Sequence, residues 1–263
     1  NPKVVCSTTK ASINIRLGEM TGSNFVPATM FEVHKRKMNP LIQPRTLRPA
    51  QLTWLLNAKR VIRFAFVRDP VSRFVSAFAD KIALGSNGPT SHRVELFGHL
   101  GLDVEASVSA EDLADIFRED KVARDMNRHW WLQRHGIAFD LIDYTFIGHQ
   151  KSWDADFATV SARIFGEALP VFDTRTRFGH ATVSHKRKLS DPARLEGLIA
   201  EAYADDYAML AEIEQRGLNA PKDWPKPVKR ERSEAPPKKR RRRAAQAQQP
   251  TETSADKTAA SAT

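Results

Sequence analysis

The stretch from Val61 to Ile82 constrains the fold more than any other part of the chain. Val61 to Val67 is a run of β-branched and aromatic residues, which reads as a strand buried on both faces, as in a parallel sheet. The run stops at Arg68-Asp69-Pro70. Asp69 suits an N-cap, and Pro70 suits the first helical position, where a missing N–H costs nothing. The period then changes: Val71, Phe74, Val75, Phe78 and Ile82 share one helical face, with Ser72, Arg73, Ser76, Asp80 and Lys81 on others. The segment therefore reads as strand, tight turn and helix, with Arg68 at the carboxyl end of the strand, where open α/β sheets bind ligands. A helix N-terminus beside a fixed cation favours a phosphate.

A second stretch opens the chain. Ser7, Thr8 and Thr9 are consecutive hydroxyls between Lys3 and Lys10, and the residues after them suggest a helix start. Hydroxyls and backbone N–H groups there, with lysines alongside, make a phosphate cradle. The loop lacks the glycines of a Walker A motif. Each stretch alone is ordinary capping chemistry; their pairing suggests a site.

Together they resemble the sulfotransferases, in particular the carbohydrate sulfotransferases of the sulfotransferase family 2 type. Pro2, Lys3, Val4, Cys6, Ser7 and Lys10 match that family's P-K-V-x-C-[ST]-x-x-K loop. Phe66 to Pro70, Arg73 to Phe78 and Lys81 match its second, longer motif, and His129-Trp130, Gln133 and Tyr144 to Gly148 fit supporting segments. The resemblance covers roughly residues 1 to 215. It implies an α/β, P-loop-like three-layer fold with a central parallel sheet flanked by helices. It also implies transfer of a sulfuryl group from 3′-phosphoadenosine 5′-phosphosulfate (PAPS) to a carbohydrate hydroxyl, without a metal. Lys3, Cys6, Ser7, Thr8, Thr9 and Lys10 would then hold the 5′-phosphosulfate, with Lys3 also stabilising the departing phosphate; Arg68 and Ser76 would hold the 3′-phosphate. His129 is the first candidate for general base and His34 the second. Trp130 or Trp131 could offer a face for sugar stacking, or belong to the core. The family places a buried strand just before the opening loop, so a first strand is expected to be missing from this sequence. Gly or Ala often stands where Val5 does, which predicts a tighter approach of backbone to phosphate here.

The chain has 263 residues, enough for one sizeable α/β domain and a tail. The net charge of +10 sits mostly in that tail: residues 219–263 hold 12 Lys/Arg against 5 Asp/Glu, and residues 1–218 hold 29 against 26. The expected division is a sulfotransferase domain over 1–218 and a disordered basic tail over 219–263. The Lys238 to Arg243 run imitates a nuclear localisation signal, but loose contact with a membrane surface or polyanion is the expected role, with no specific nucleic acid. Cys6 is the one cysteine, which points to a reducing, bacterial cytoplasm, with membrane association left open. No apolar run approaches the roughly 20 residues that span a bilayer. The competing classes are another nucleotide-using enzyme such as a kinase, and a nucleic-acid-binding protein acting through the tail.

Elsewhere, helices are predicted over 11–18, 49–58, from Ser109 (with Asp112 three residues on), 154–165, and from Pro192 to about Arg216. Residues 20–50 and 84–109 read as loops, the former a basic segment (His34, Lys35, Arg36, Lys37, Arg45, Arg48) suited to an anionic acceptor. Residues 137–142, 144–147 and 171–172 read as short strands, and 173–188 as a basic loop over the 3′-phosphate.

Overall fold

The computed structural model describes residues 3–35, 40–85, 88–179 and 190–220. The tail beyond residue 220 and the basic residues Arg36, Lys37, His180, His185, Lys186, Arg187 and Lys188 lie outside them.

Helix α1 (Cys6–Thr21) is followed by the short α2 (Met30–His34) and by α3 (Pro49–Asn57). Strand β1 (Phe64–Val67) leads into α4 (Pro70–Ala77). The Asp69 carboxylate accepts the Ser72 N–H at 2.7 Å and Pro70 takes the first turn, as the sequence predicts. The helix then widens into a π-turn over Phe78–Ile82, where the Ala83 N–H reaches back five residues to the Phe78 carbonyl at 2.8 Å. Helices α5 (Ser91–Leu100), α6 (Ala110–Glu119), α7 (Lys121–Asp125) and α8 (Gln133–Gly136) precede strand β2 (Phe146–His149). Helices α9 (Trp153–Phe165), α10 (Thr174–Phe178), α11 (Pro192–Ala202) and α12 (Ala204–Gln215) complete the order.

The two strands pair in parallel, Phe64 with Phe146 through Val67 with His149. Successive β1 residues point to opposite faces, and each face has its own core. Val67 and Ile147 pack with Phe139, Met209 and Ile213 on the α12 side. Phe66 packs with Val4, Trp153, Phe157 and Leu169 on the α1–α9 side. That is the helix–sheet–helix layering expected of the α/β fold, on a sheet that is two strands wide among the described residues. Gly148 makes the second face possible: a Cβ there would lie 2.6 Å from the Phe66 ring. A third core is all-helical, with Phe74, Phe97, Phe117, Trp130, Leu195 and Tyr203 joining α4 to α5, α6 and α11.

Several expectations need correction. The segment 84–109 contains α5, because Thr90 caps it and Leu96 and Phe97 are buried. Residues 137–142 form turns rather than a strand; Ala138 has φ 52°, outside the β region. Residues 171–172 are not a strand either. The last helix is two, broken at Tyr203, whose hydroxyl donates to the Trp130 carbonyl at 2.6 Å. Helix α1 begins at Cys6, earlier than its apolar period suggests, and β1 begins at Phe64, later than Val61. At Ser109 the box with Asp112 is complete in both directions.

Candidate functional site

The opening loop and the turn after β1 meet at the carboxyl edge of the sheet. Arg68 Nη1 donates to the Lys3 carbonyl at 3.1 Å, across 65 residues of sequence. Its Nε is buried without a hydrogen-bond partner, a state that calls for an explanation because buried polar groups are normally paired. Burial lowers the guanidinium's pKa, against the opposing pull of Asp69. The Arg68 backbone is clamped on both sides by Gln133, whose Oε1 accepts its N–H at 2.9 Å and whose Nε2 donates to its carbonyl at 2.7 Å. Gln133 is in turn held through its N–H, at 3.0 Å, by buried Asp206.

Lys3 and Val5 both have left-handed backbone, at φ 65° and 46°. For a β-branched valine this is strained. Left-handed Val5 followed by right-handed Cys6 turns successive N–H groups toward one point, an anion-binding concavity. No side chain caps α1, so a ligand could satisfy its first N–H groups. Glycine at position 5 would adopt this conformation freely.

The side chains of the loop divide. Ser7 Oγ lies 2.9 Å from His34 Nε2, so the second base candidate sits on the opening loop. The Thr8 hydroxyl is buried against Thr174 at 3.0 Å, and the Thr9 hydroxyl donates to Val5 O and accepts from Trp153 Nε1, both at 3.0 Å. Those two hydroxyls therefore brace the loop. Cys6 and Lys10 are half-buried, and Ser76 lies half-buried on α4, one turn ahead of Asp80. Lys3 pairs with Asp80, which also holds Lys81 at 3.1 Å. Burial lowers the Lys3 pKa, with Asp80 opposing. At Asp80 burial pushes upward, but Lys3 and Lys81 outweigh it and hold the carboxyl below its usual range.

His129 belongs to the same cluster. Its pKa is lowered from 6.5 to about 3 by burial first, then by Lys81, His92, Lys3 and Arg128, so its imidazole is neutral. Its Nδ1 lies 2.7 Å from Asn127 Oδ1. His34 is lowered too, by burial and then by Lys10 and Arg128. Buried Arg73 anchors this loop, donating to the carbonyls of Trp131 at 2.7 Å and Arg128 at 3.1 Å. The sequence alone assigns no individual role to Arg73, Asp80, Asn127 or Arg128. Nothing local in the sequence marks these residues: Arg73 falls off the apolar face of its helix, and its partners lie 55 and 58 residues further on. Trp130 is buried among Phe117 and Tyr203, so it serves the core and offers no face to a sugar; Trp131 is half-buried.

A shallow concavity of about 340 Å³, lined by Phe139 to Asp143, Glu212 and Arg216, lies at the opposite end of the sheet, where Asp143 meets Arg63 ahead of β1. Its carboxylates disfavour an anion, and no predicted site residue lines it. Among the described residues, no group of three or more His, Cys, Asp or Glu is placed to hold a metal ion, and no helix is long and apolar enough to cross a membrane.

A model of the sulfotransferase family matches residues 2–210. Carbohydrate sulfotransferase 14 of Mus musculus is 25% identical over 159 residues, which is 59% of this chain and 40% of that protein. No solved structure gives a significant match.

Proposed function

The chain belongs to the sulfotransferase family, and on that premise we propose that it moves a sulfuryl group from PAPS to a hydroxyl of a carbohydrate acceptor. The observation that carries the reading is the convergence of Lys3 and Arg68 at one sheet edge, with Arg68 Nε buried and unpaired. Donors of this kind fit an anion with phosphate groups at both ends. Lys3, Ser7, Lys10 and the N–H groups at the start of α1 hold the 5′ end; Arg68 and Ser76 hold the 3′-phosphate, where a planar guanidinium serves better than an ammonium. When bound, PAPS supplies an activated sulfuryl group and leaves as 3′,5′-ADP. The chain aligns the reactants, keeps fixed positive charge where negative charge grows, and takes the hydroxyl proton on neutral His129. Residues 1–218 constitute the catalytic domain in this reading, and the basic segment beyond it is an accessory with affinity for anionic surfaces. The carbohydrate acceptor rests on the motif resemblance of the opening loop and of the strand–helix junction, and on the murine relative's name.

Incubation with sulfur-labelled PAPS and a panel of glycans should give a labelled carbohydrate. Stabilisation of the protein by 3′,5′-ADP but not by ATP with magnesium is expected in a thermal shift; the reverse pattern would point to a kinase.

A further inference from the structure

Asn127 stands between two imidazoles and determines which nitrogen of each carries the proton. Its Oδ1 accepts the His129 backbone N–H at 3.1 Å and lies 2.7 Å from His129 Nδ1. A backbone N–H only donates, so this end of the amide is the oxygen. His129 Nδ1 therefore carries its proton and Nε2 is a bare lone pair. The amide's other end is the NH₂, 3.1 Å from His92 Nδ1, which must accept. His92 then carries its proton on Nε2. The rings lie 4.8 Å apart and hold opposite tautomers. Both are neutral: burial, then Lys81, lowers each pKa, with Lys3, Arg128 and the partner ring also facing His129, and Glu95, Asp80 and Arg128 facing His92.

We infer that Asn127 is a positioning residue that fixes His129 with its Nε2 lone pair available to the acceptor hydroxyl and holds His92 beside it as an N–H donor. The inference rests on the reading of His129 as the base. The loop is built to keep this arrangement. Arg73 grips the carbonyls of Arg128 and Trp131 on either side of His129, and the Trp130 side chain is locked in the core. An imidazole in the other tautomer would present an N–H where a base is needed, and catalysis would fail although the geometry survived.

Long-range proton–nitrogen NMR on the full chain reads the tautomers without turnover. His129 protonated at Nδ1 and His92 at Nε2 are expected; a His129 protonated at Nε2, or an averaged ring, overturns the inference. In kinetics, Asn127→Ala should lower kcat roughly 10- to 100-fold with little change in KM for PAPS. Asn127→Asp keeps an acceptor for His129 and adds a charge that favours the imidazolium. It should recover part of kcat while moving the acid limb of the pH profile upward. An unchanged kcat in Asn127→Ala, alongside a His129→Gln variant that is inactive, overturns the positioning role and leaves the base reading standing. A wild-type rate in His129→Gln overturns the base reading itself and with it the catalytic meaning of the tautomer.

Discussion

The loop ahead of α1 and the junction ahead of α4 each aim a helix N-terminus and a cation at one sheet edge, yet they are built by opposite routes. At the junction every local preference agrees. Asp69 caps, Pro70 occupies the first turn, and Gln133 satisfies both backbone groups of Arg68. In the loop the preferences conflict: Lys3 and Val5 sit in left-handed backbone and α1 has no side-chain cap. Such residues cost about 1–3 kcal/mol each and persist only where surroundings impose them. Here the surroundings are Trp153 on Thr9, Thr174 on Thr8 and Arg68 on the Lys3 carbonyl. The support runs one way. The junction holds itself and also holds the loop, so damage to the junction should reach both regions, whereas damage to the loop should stay local.

The sharpest way to break this asymmetry is to remove its link. Arg68→Ala should lower kcat/KM by roughly 100- to 1,000-fold in a labelled-PAPS assay while circular dichroism stays native. Lys3→Ala should cost about as much in kcat but spare binding of 3′,5′-ADP more than Arg68→Ala does. Equal loss of nucleotide affinity in the two variants would abolish the one-way picture. Next in size, Asp206→Ala should destabilise the protein by about 1–3 kcal/mol in urea, because it strands the buried N–H groups of Gln133 and Arg134.

A graded effect follows from His129. Its folded pKa, about 3, lies below the ordinary 6.5, so between those values the unfolded chain binds the extra proton. Stability is then fully present above 6.5 and falls as pH drops toward 3. Denaturation midpoints across that window should show a shallower decline in His129→Gln. The smallest effects should have opposite signs in the two regions. Val5→Gly should raise stability by up to about 1 kcal/mol by relieving the left-handed valine, and Asp69→Ala should lower it by about 1 kcal/mol by removing a cap.

The same contrast explains what could be read in advance. The junction was legible because its signals are local: a β-branched run, a cap, a proline and a change of period all lie within Val61 to Ile82. The meeting of Lys3 with Arg68 followed from motif resemblance, and the contact bears it out. The fates of Thr8 and Thr9 were not legible, because a hydroxyl's partner is set by Thr174 and Trp153, far along the chain. Helix α5 was missed because Gly85 and Gly88 mark a turn so strongly that the cap at Thr90 went unweighed. The pairing of Asn127 with His129, two residues on, and with His92, 35 residues back, has no sequence period to announce it.

The wide turn over Phe78–Ile82 has a consequence for how this chain can vary. It holds one residue more than an α-turn would, and that residue sets the phase of everything on either side. Asp80 reaches Lys3 of the opening loop from it and also pairs with Lys81, and the carbonyls of Lys81 and Ile82 accept from Thr90 and Arg93. Losing one residue there would rewind the turn and rotate the downstream chain by about 100°. The length of this turn is constrained as well as its side chains: an insertion or deletion would unhook Lys3 from Asp80 and disturb the helical subcore in a single event.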